Sequence, residues 1–170
     1  KVYKKIYVPK IEKKYKKVNL ENGSRRDYHQ YHAFYGWKKK DITSENINVK
    51  NYLRKTESNS QWDSNSKIWF FGGSTMWGSG VPDEHTIPSY AAKLDHTFQP
   101  VNLGEDGYNA GQSLNRLIEI IDQINEGDHV IFFDGVNDSF SKCDTNNGSN
   151  GTEQVRHIRK LIEKDKHPFK

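Results

Sequence analysis

The stretch Lys67-Ile68-Trp69-Phe70-Phe71-Gly72-Gly73-Ser74-Thr75 decides how this 170-residue chain is read. Ile68 through Phe71 are apolar with no polar alternate, and two glycines and two hydroxyl residues follow. A half-exposed strand would alternate. This run therefore reads as a strand buried on both faces, with the glycine pair as the turn that closes it.

The same pattern recurs twice on the C-terminal side. Pro100–Leu103 is a second short strand, ended by Gly104, and His129–Phe133 a third, ended by Asp134-Gly135. Helices are expected between them. Pro88 can occupy a first helical turn, with Ala91, Ala92 and Leu94 inside the helix. Gln112–Asn125 has Leu114, Leu117, Ile118, Ile121 and Ile124 at spacings of three and four, one apolar face, and Gly127 as its stop. Residues 144–152 are a loop by composition, and Glu153–Lys164 a final helix with Val155, Ile158, Leu161 and Ile162 on one side. The order β-α-β-α-β, with strands apolar on both faces, predicts an α/β domain over 67–170 in which helices cover a parallel sheet.

On the N-terminal side the chain changes character. Residues 28–66 are an aromatic and polar extension expected to pack on the core. Tyr28–Trp37 holds five aromatics in ten residues and reads as a strap packed across the sheet edge, and Asn48–Leu53 is the only strand candidate in 41–66. Residues 1–27 are a basic arm; the first 20 carry eight lysines against Glu12 alone. Residues 1–66 hold 16 Lys/Arg and 7 Asp/Glu, a net of +9, whereas 67–142 hold 4 and 11, a net of −7. The positive charge thus lies off the predicted core, and a nucleic-acid partner is not expected. The arm reads first as a solvated segment, with an anionic surface as the candidate contact of residues 1–20. No apolar run approaches the ~20 residues of a membrane-spanning helix. The single Cys143 excludes an internal disulfide or a multi-cysteine zinc cluster.

Function in open α/β sheets gathers beyond the carboxyl ends of the strands. There this chain puts Ser74, the glycine-rich turn Asn102–Tyr108, and Asn137. A serine hydroxyl can attack a carbonyl carbon. The oxyanion that forms requires N–H donors already in position, from backbone or from an amide side chain. Each group alone is an ordinary turn residue or helix cap. At three successive strand ends, they read as a site for acyl transfer, which requires no cofactor and no metal.

These blocks resemble the SGNH (GDSL-type) hydrolases. Phe71-Gly72-Gly73-Ser74-Thr75-Met76-Trp77-Gly78 looks like the family's first block in a bacterial branch, with Gly73 where Asp is usual. Asn102 through Gly107 matches the second block and Gly135–Asp138 the third, Gly-x-Asn-Asp. Val81–Ser89 and the aromatic segment Tyr31–Trp37 extend the likeness, which covers residues 28–140. The resemblance implies a flavodoxin-like three-layer αβα sandwich and a serine esterase. Its substrates would be acyl esters, often acetyl, on a small molecule or polysaccharide. It implies Ser74 as nucleophile, with Gly107 N–H, Asn137 Nδ2 and Ser74 N–H as oxyanion donors. It favours a periplasmic or extracellular location, with any anchor upstream of residue 1. An O-acyltransferase on the same site and a non-catalytic carbohydrate-binding protein are the alternatives.

The family's fourth block, Asp-x-x-His, supplies the general base and does not occur in the chain. Asp165-Lys166-His167 is one residue short and follows a helix directly. Four readings stay open: a sequence that continues past Lys170 or lacks a segment near 143–152, leaving the fold incomplete at its C-terminal end; His167 or another histidine in a variant arrangement; a pseudoenzyme; or a base from a partner. His85 lies on the loop after Ser74 and is a candidate for touching substrate. Trp77 and Tyr108 flank the site, as packing or as a ring to stack on a sugar. Asp27, His29 and His32 are a weak metal set. The Asn-x-Ser/Thr triplets at Asn22, Asn137, Asn147 and Asn150 read as chance in an Asn- and Ser-rich chain.

Overall fold

The computed structural model describes residues 28–57, 66–143 and 153–166. The basic arm, His167 and the triplets at Asn22, Asn147 and Asn150 lie outside the described residues.

The strand predicted after Ser66 is β5, Lys67–Gly72, and it is the centre of the molecule. On one side it pairs in parallel with β6 (Gln99–Asn102), Lys67 opposite Gln99 and Phe70 opposite Asn102. On the other it pairs in parallel with β7 (His129–Phe133), Ile68 opposite His129 and Gly72 opposite Phe133. Successive side chains of a strand point to opposite faces. Trp69 and Phe71 accordingly enter one cluster with Leu103, Leu117, Ile120 and Ile124. Ile68 and Phe70 enter another with Met76, Ala91, Ala92 and Phe98. Each cluster is closed by a helix. The second is covered by α1 (Ser74–Trp77) and α2 (Ile87–Leu94), the first by α3 (Ala110–Glu119). The protein is therefore a mixed α/β structure with a five-stranded sheet between helices.

Local chemistry sets the helix starts. Thr86 accepts from Ser89 N at 3.3 Å at the head of α2, where Pro88 needs no N–H partner. Asn109 and Gln112 form a reciprocal capping box on α3. The Asp138 carboxylate also accepts from Ala110 N, at 3.1 Å, and so ties α4 (Val136–Cys143) to that helix start.

The structure departs from the sequence reading in three places. The sheet is mixed, not purely parallel. The segment read as one strand at 48–53 is the hairpin β3 (Val49–Lys50) and β4 (Leu53–Arg54), and it joins β6 antiparallel at Arg54–Asn102. Its two-residue turn has positive φ at both Asn51 and Tyr52, the geometry that matches strand twist. Second, α3 ends at Glu119, with a 3₁₀ turn over Ile121–Gln123, and the side facing the core is only in part the one that apolar spacing predicts: Leu117 and Ile124 pack inward, but polar residues share that side. Ser113, Arg116 and Ile120 are buried, whereas Leu114 and Ile118 are each 50% exposed. Arg116 turns inward because its guanidinium donates to Leu103 O at 3.0 Å and to Tyr52 O. Third, β7 is not covered on both faces: every residue in it is exposed, Phe133 by 53%, and among the described residues β5 is its only partner strand.

Residues 28–39 form a separate antiparallel hairpin, β1 (His29–His32) and β2 (Gly36–Lys39). Tyr35 and Trp37 pack with Tyr108 and with Leu161 of α5 (Glu153–Lys166). The hairpin thus sits over the turn that follows β6.

Burial separates the apolar residues by consequence. Phe71→Ala is expected to cost about 3–5 kcal/mol, as for a fully buried aromatic. Phe133→Ala, at the exposed end of β7, is expected to cost about 1 kcal/mol or less. Urea unfolding midpoints of the two variants at unchanged m-value are the check.

Candidate functional site

The site is built where β5, β6 and β7 end. Gly72 O accepts from Glu105 N at 2.9 Å, which pins the turn after β6 to the end of β5. Asn137, at the start of α4, donates from Nδ2 to Tyr108 O at 2.7 Å. Both groups lie against Gly73. A Cβ there would sit 2.7 Å from Asn137 Nδ2 and 3.2 Å from Tyr108 O. Glycine is required by this closeness, and the residue before Ser74 is thereby in contact with the two other strand ends. The structure brings together all three segments that the sequence reading singled out.

Ser74 opens α1 and is partly exposed. Its Oγ and its N–H make no hydrogen bond among the described residues. The same holds for the N–H of Gly107, which has φ +82°, with the Trp37 ring on the side where a Cβ would point, at 3.3 Å. Gly107 O accepts from Gln154 Nε2 of α5 at 2.9 Å. An open cavity of about 310 Å³ adjoins the serine, lined by Ser74, Thr75, Ser79, Val81, His85, Thr86 and Ile87 among others. Among the described residues His85 is the one histidine in that lining, and its ring stacks on Tyr90.

The aromatic candidates do not face the cavity. Trp77 is buried with Ile47 and Val49, and Tyr108 is buried with its hydroxyl donating to Trp37 O. Both pack. The weak metal set is also dispersed. His32 stacks on Tyr35 and meets Glu119 at 3.4 Å, whereas His29 turns into the interior toward Glu105. Asp27 lies outside the described residues.

What the sequence reading missed is a pair of buried ion pairs that frame the site. Lys39 Nζ lies 2.9 Å from Glu105 Oε1 and 2.9 Å from Asp106 Oδ2. Arg54 Nε lies 2.7 Å from Asp83 Oδ1, and Arg54 Nη2 donates to Val81 O at 2.9 Å. Trp77, in the helix that Ser74 begins, carries both cations on its ring, Lys39 Nζ at 4.7 Å and Arg54 Cζ at 4.4 Å. The first pair holds the Gly107 turn and the second holds the cavity wall at Val81. Only the run Lys38–Lys40 and the acidic Glu105-Asp106 hinted at this, and pairing across 66 residues has no local signature.

Burial pushes the Glu105 carboxyl up, but the Lys39 ammonium and His29 together outweigh it and bring the group down to about 2. Lys39 is disfavoured by burial in turn, and Glu105 and Asp106 override this and raise it above its ordinary value. Asp134 is pushed up by burial, with Ser113 donating to it at 3.2 Å.

Compared with known proteins, the chain matches no family model and no curated sequence.

The Glu105 shift has a definite sign. A carboxyl lowered from 4.5 to about 2 in the folded state contributes stability above pH 4.5 that disappears as pH falls toward 2. About 3 kcal/mol is expected to be lost over that range. Unfolding free energies measured between pH 6 and pH 2 are expected to fall most steeply below pH 4.5. A second expectation concerns Gly73: the Gly73→Ala side chain would displace Asn137. NMR is expected to show the Asn137 side-chain amide signals move while those of Trp69 stay.

Proposed function

We propose that the protein is a serine esterase of the SGNH type, with Ser74 as nucleophile and Gly107 and Asn137 as oxyanion donors. The observation that carries this reading is the meeting of three strand ends at Gly73. Ser74, the Gly107–Tyr108 turn and the Asn137 amide come from separate βα units, yet share one point beside an open cavity. The strand order gives further support. In chain order, β6, β5 and β7 are the second, first and third parallel strands, which is how a flavodoxin-like sheet begins.

In this reading Ser74 Oγ attacks the ester carbonyl carbon and the C–O π pair moves onto the carbonyl oxygen. The N–H groups of Ser74 and Gly107, which have no protein acceptor among the described residues, meet that charge. Asn137 Nδ2 donates to Tyr108 O, and in this reading the same side-chain amide is the third group turned to the oxyanion. The tetrahedral species collapses, the alkoxide leaves with a proton, and water repeats the sequence on the acyl-serine. The Ser74 proton requires an acceptor, and His85 is the histidine that lines the same cavity. The open cavity beside the serine leaves room for an acyl ester with a sugar as its alcohol, and the acetyl group is what the resemblance implies.

A fluorophosphonate probe tests the reading. An adduct is expected on the Ser74 peptide by mass spectrometry and is expected to vanish in Ser74→Ala. Asn137→Ala should lower kcat on an acetyl ester by about 10²–10³-fold, the loss for one oxyanion donor, with KM little changed. No adduct on the folded protein overturns the assignment. An acyl-serine that turns over only after a sugar acceptor is added would make the protein a transferase.

A further inference from the structure

The ammonium of Lys39 occupies a place built for a cation. His29 Nε2, a Glu105 oxygen and an Asp106 oxygen lie within 4.8 Å of one another, a His-and-carboxylate set of the kind that holds a divalent metal. Here the lysine fills it. Nζ is 2.9 Å from each carboxylate and 2.6 Å from His29 Nε2, and the Lys39 side chain is 3% exposed. An ammonium has only protons to give, so at 2.6 Å His29 Nε2 accepts. Nδ1 then carries the ring proton and donates to His157 Nε2 at 3.0 Å. The ammonium thus makes directed hydrogen bonds to His29 Nε2 and Asp106 Oδ2 and an ion pair with Glu105 Oε1.

The seat also holds the backbone. Lys39 N donates to Glu105 Oε2 at 3.0 Å, so one residue of β2 grips both oxygens of Glu105. Asp106 N donates to Glu105 Oε1 at 2.8 Å, and Trp37 Nε1 donates to Asp106 O at 3.1 Å. Ser79, just past α1, donates to the other oxygen of Asp106. The two residues before Gly107 are therefore fixed through side chain and main chain alike, and the next peptide is the one whose N–H is unspent.

We propose that Lys39 is a positioning residue: by filling the seat formed by His29, Glu105 and Asp106, its ammonium sets the direction in which Gly107 presents its N–H to the substrate carbonyl oxygen. This rests on reading Ser74 as the acyl-transfer nucleophile. An apolar side chain of the same volume could fill the space. It would supply no directed hydrogen bonds, and a donor displaced from the oxyanion loses most of its effect.

The test uses Lys39→Met combined with Glu105→Gln, which removes the buried pair together and leaves Asp106, 13% exposed, with Ser79 as its hydrogen-bond donor. Lys50→Met, which breaks an exposed ion pair with Asp41, is the control. The double variant is expected to unfold cooperatively, to retain KM for p-nitrophenyl acetate, and to lose kcat by about 10²-fold or more. A lysine that merely stabilised the fold would leave kcat of the folded fraction unchanged. In ¹⁵N spectra the Gly107 amide is expected to shift while those of Ser74 and Val130 stay. The inference is overturned by wild-type kcat in the folded double variant, or by an unmoved Gly107 amide. If the wild-type protein neither turns over ester nor takes the fluorophosphonate, the esterase reading fails instead. The amide spectrum then decides by itself whether Lys39 sets the turn. If the double variant does not fold, the same two measurements on Lys39→Arg decide. A fork of fixed shape cannot reproduce the three-point contact, so kcat is expected to fall with KM retained and the Gly107 amide to shift. Wild-type kcat and an unmoved amide in that variant would overturn the inference.

Discussion

Glu105 carries its charge with only 1% of its side chain open to water, and the surrounding structure answers that charge. An isolated buried carboxylate would take up a proton or open the fold. It stays ionised because Lys39 reaches it with both its ammonium and its backbone N–H. That contact requires β2 to lie over the end of β6. The β1–β2 hairpin, the Trp37–Tyr108 packing and the docking of α5 on both follow from that placement. The cost of burying ions makes the arrangement poor as a source of stability and good as a source of uniqueness. Few other placements of the hairpin would satisfy all the groups at once.

The second buried pair repeats this logic on the opposite wall. Arg54 comes from β4 and Asp83 from the 3₁₀ turn after α1. Asp83 also receives Asn48 N at 3.1 Å and Asn48 Nδ2 at 2.7 Å, so the loop beside the cavity is tied to the segment before β3. Residues ahead of the first parallel strand thus frame the serine from two directions, with Trp77 between them. The extension is part of how the site is shaped and not an addition to a finished domain.

The other end of the molecule is less constrained. β7 has backbone partners along one side only among the described residues, and Val130 through Phe133 are open to solvent. Leu114 and Ile118 of α3 are half exposed. Asn137 and Asp138 nevertheless hold the start of α4 through Tyr108 O and Ala110 N. The contact that matters to the site is made by polar groups at the end of the strand.

The three parallel strands and the presence of the helices were legible in the sequence, because unbroken apolar runs, glycine stops and helical spacing act over a few residues; the caps at Thr86 and Asn109 came from the structure. Ser74, the glycine-rich turn and Asn137 were legible as candidates for the same reason, since each follows its strand at short range; Gly107 within that turn was singled out by the family resemblance. Three things were decided by tertiary structure alone. Arg116 took the inward face of α3 because acceptors at Leu103 and Tyr52 lay there, which no helical periodicity encodes. The 48–53 segment folded back because Arg54 found Asn102 beside it and Asp83 below it. Lys39 became the partner of Glu105, not one more lysine in a basic run, because the hairpin delivered it to a buried carboxylate. Local sequence fixes how a few residues turn. Which buried charge meets which depends on desolvation, a property of the whole packed chain.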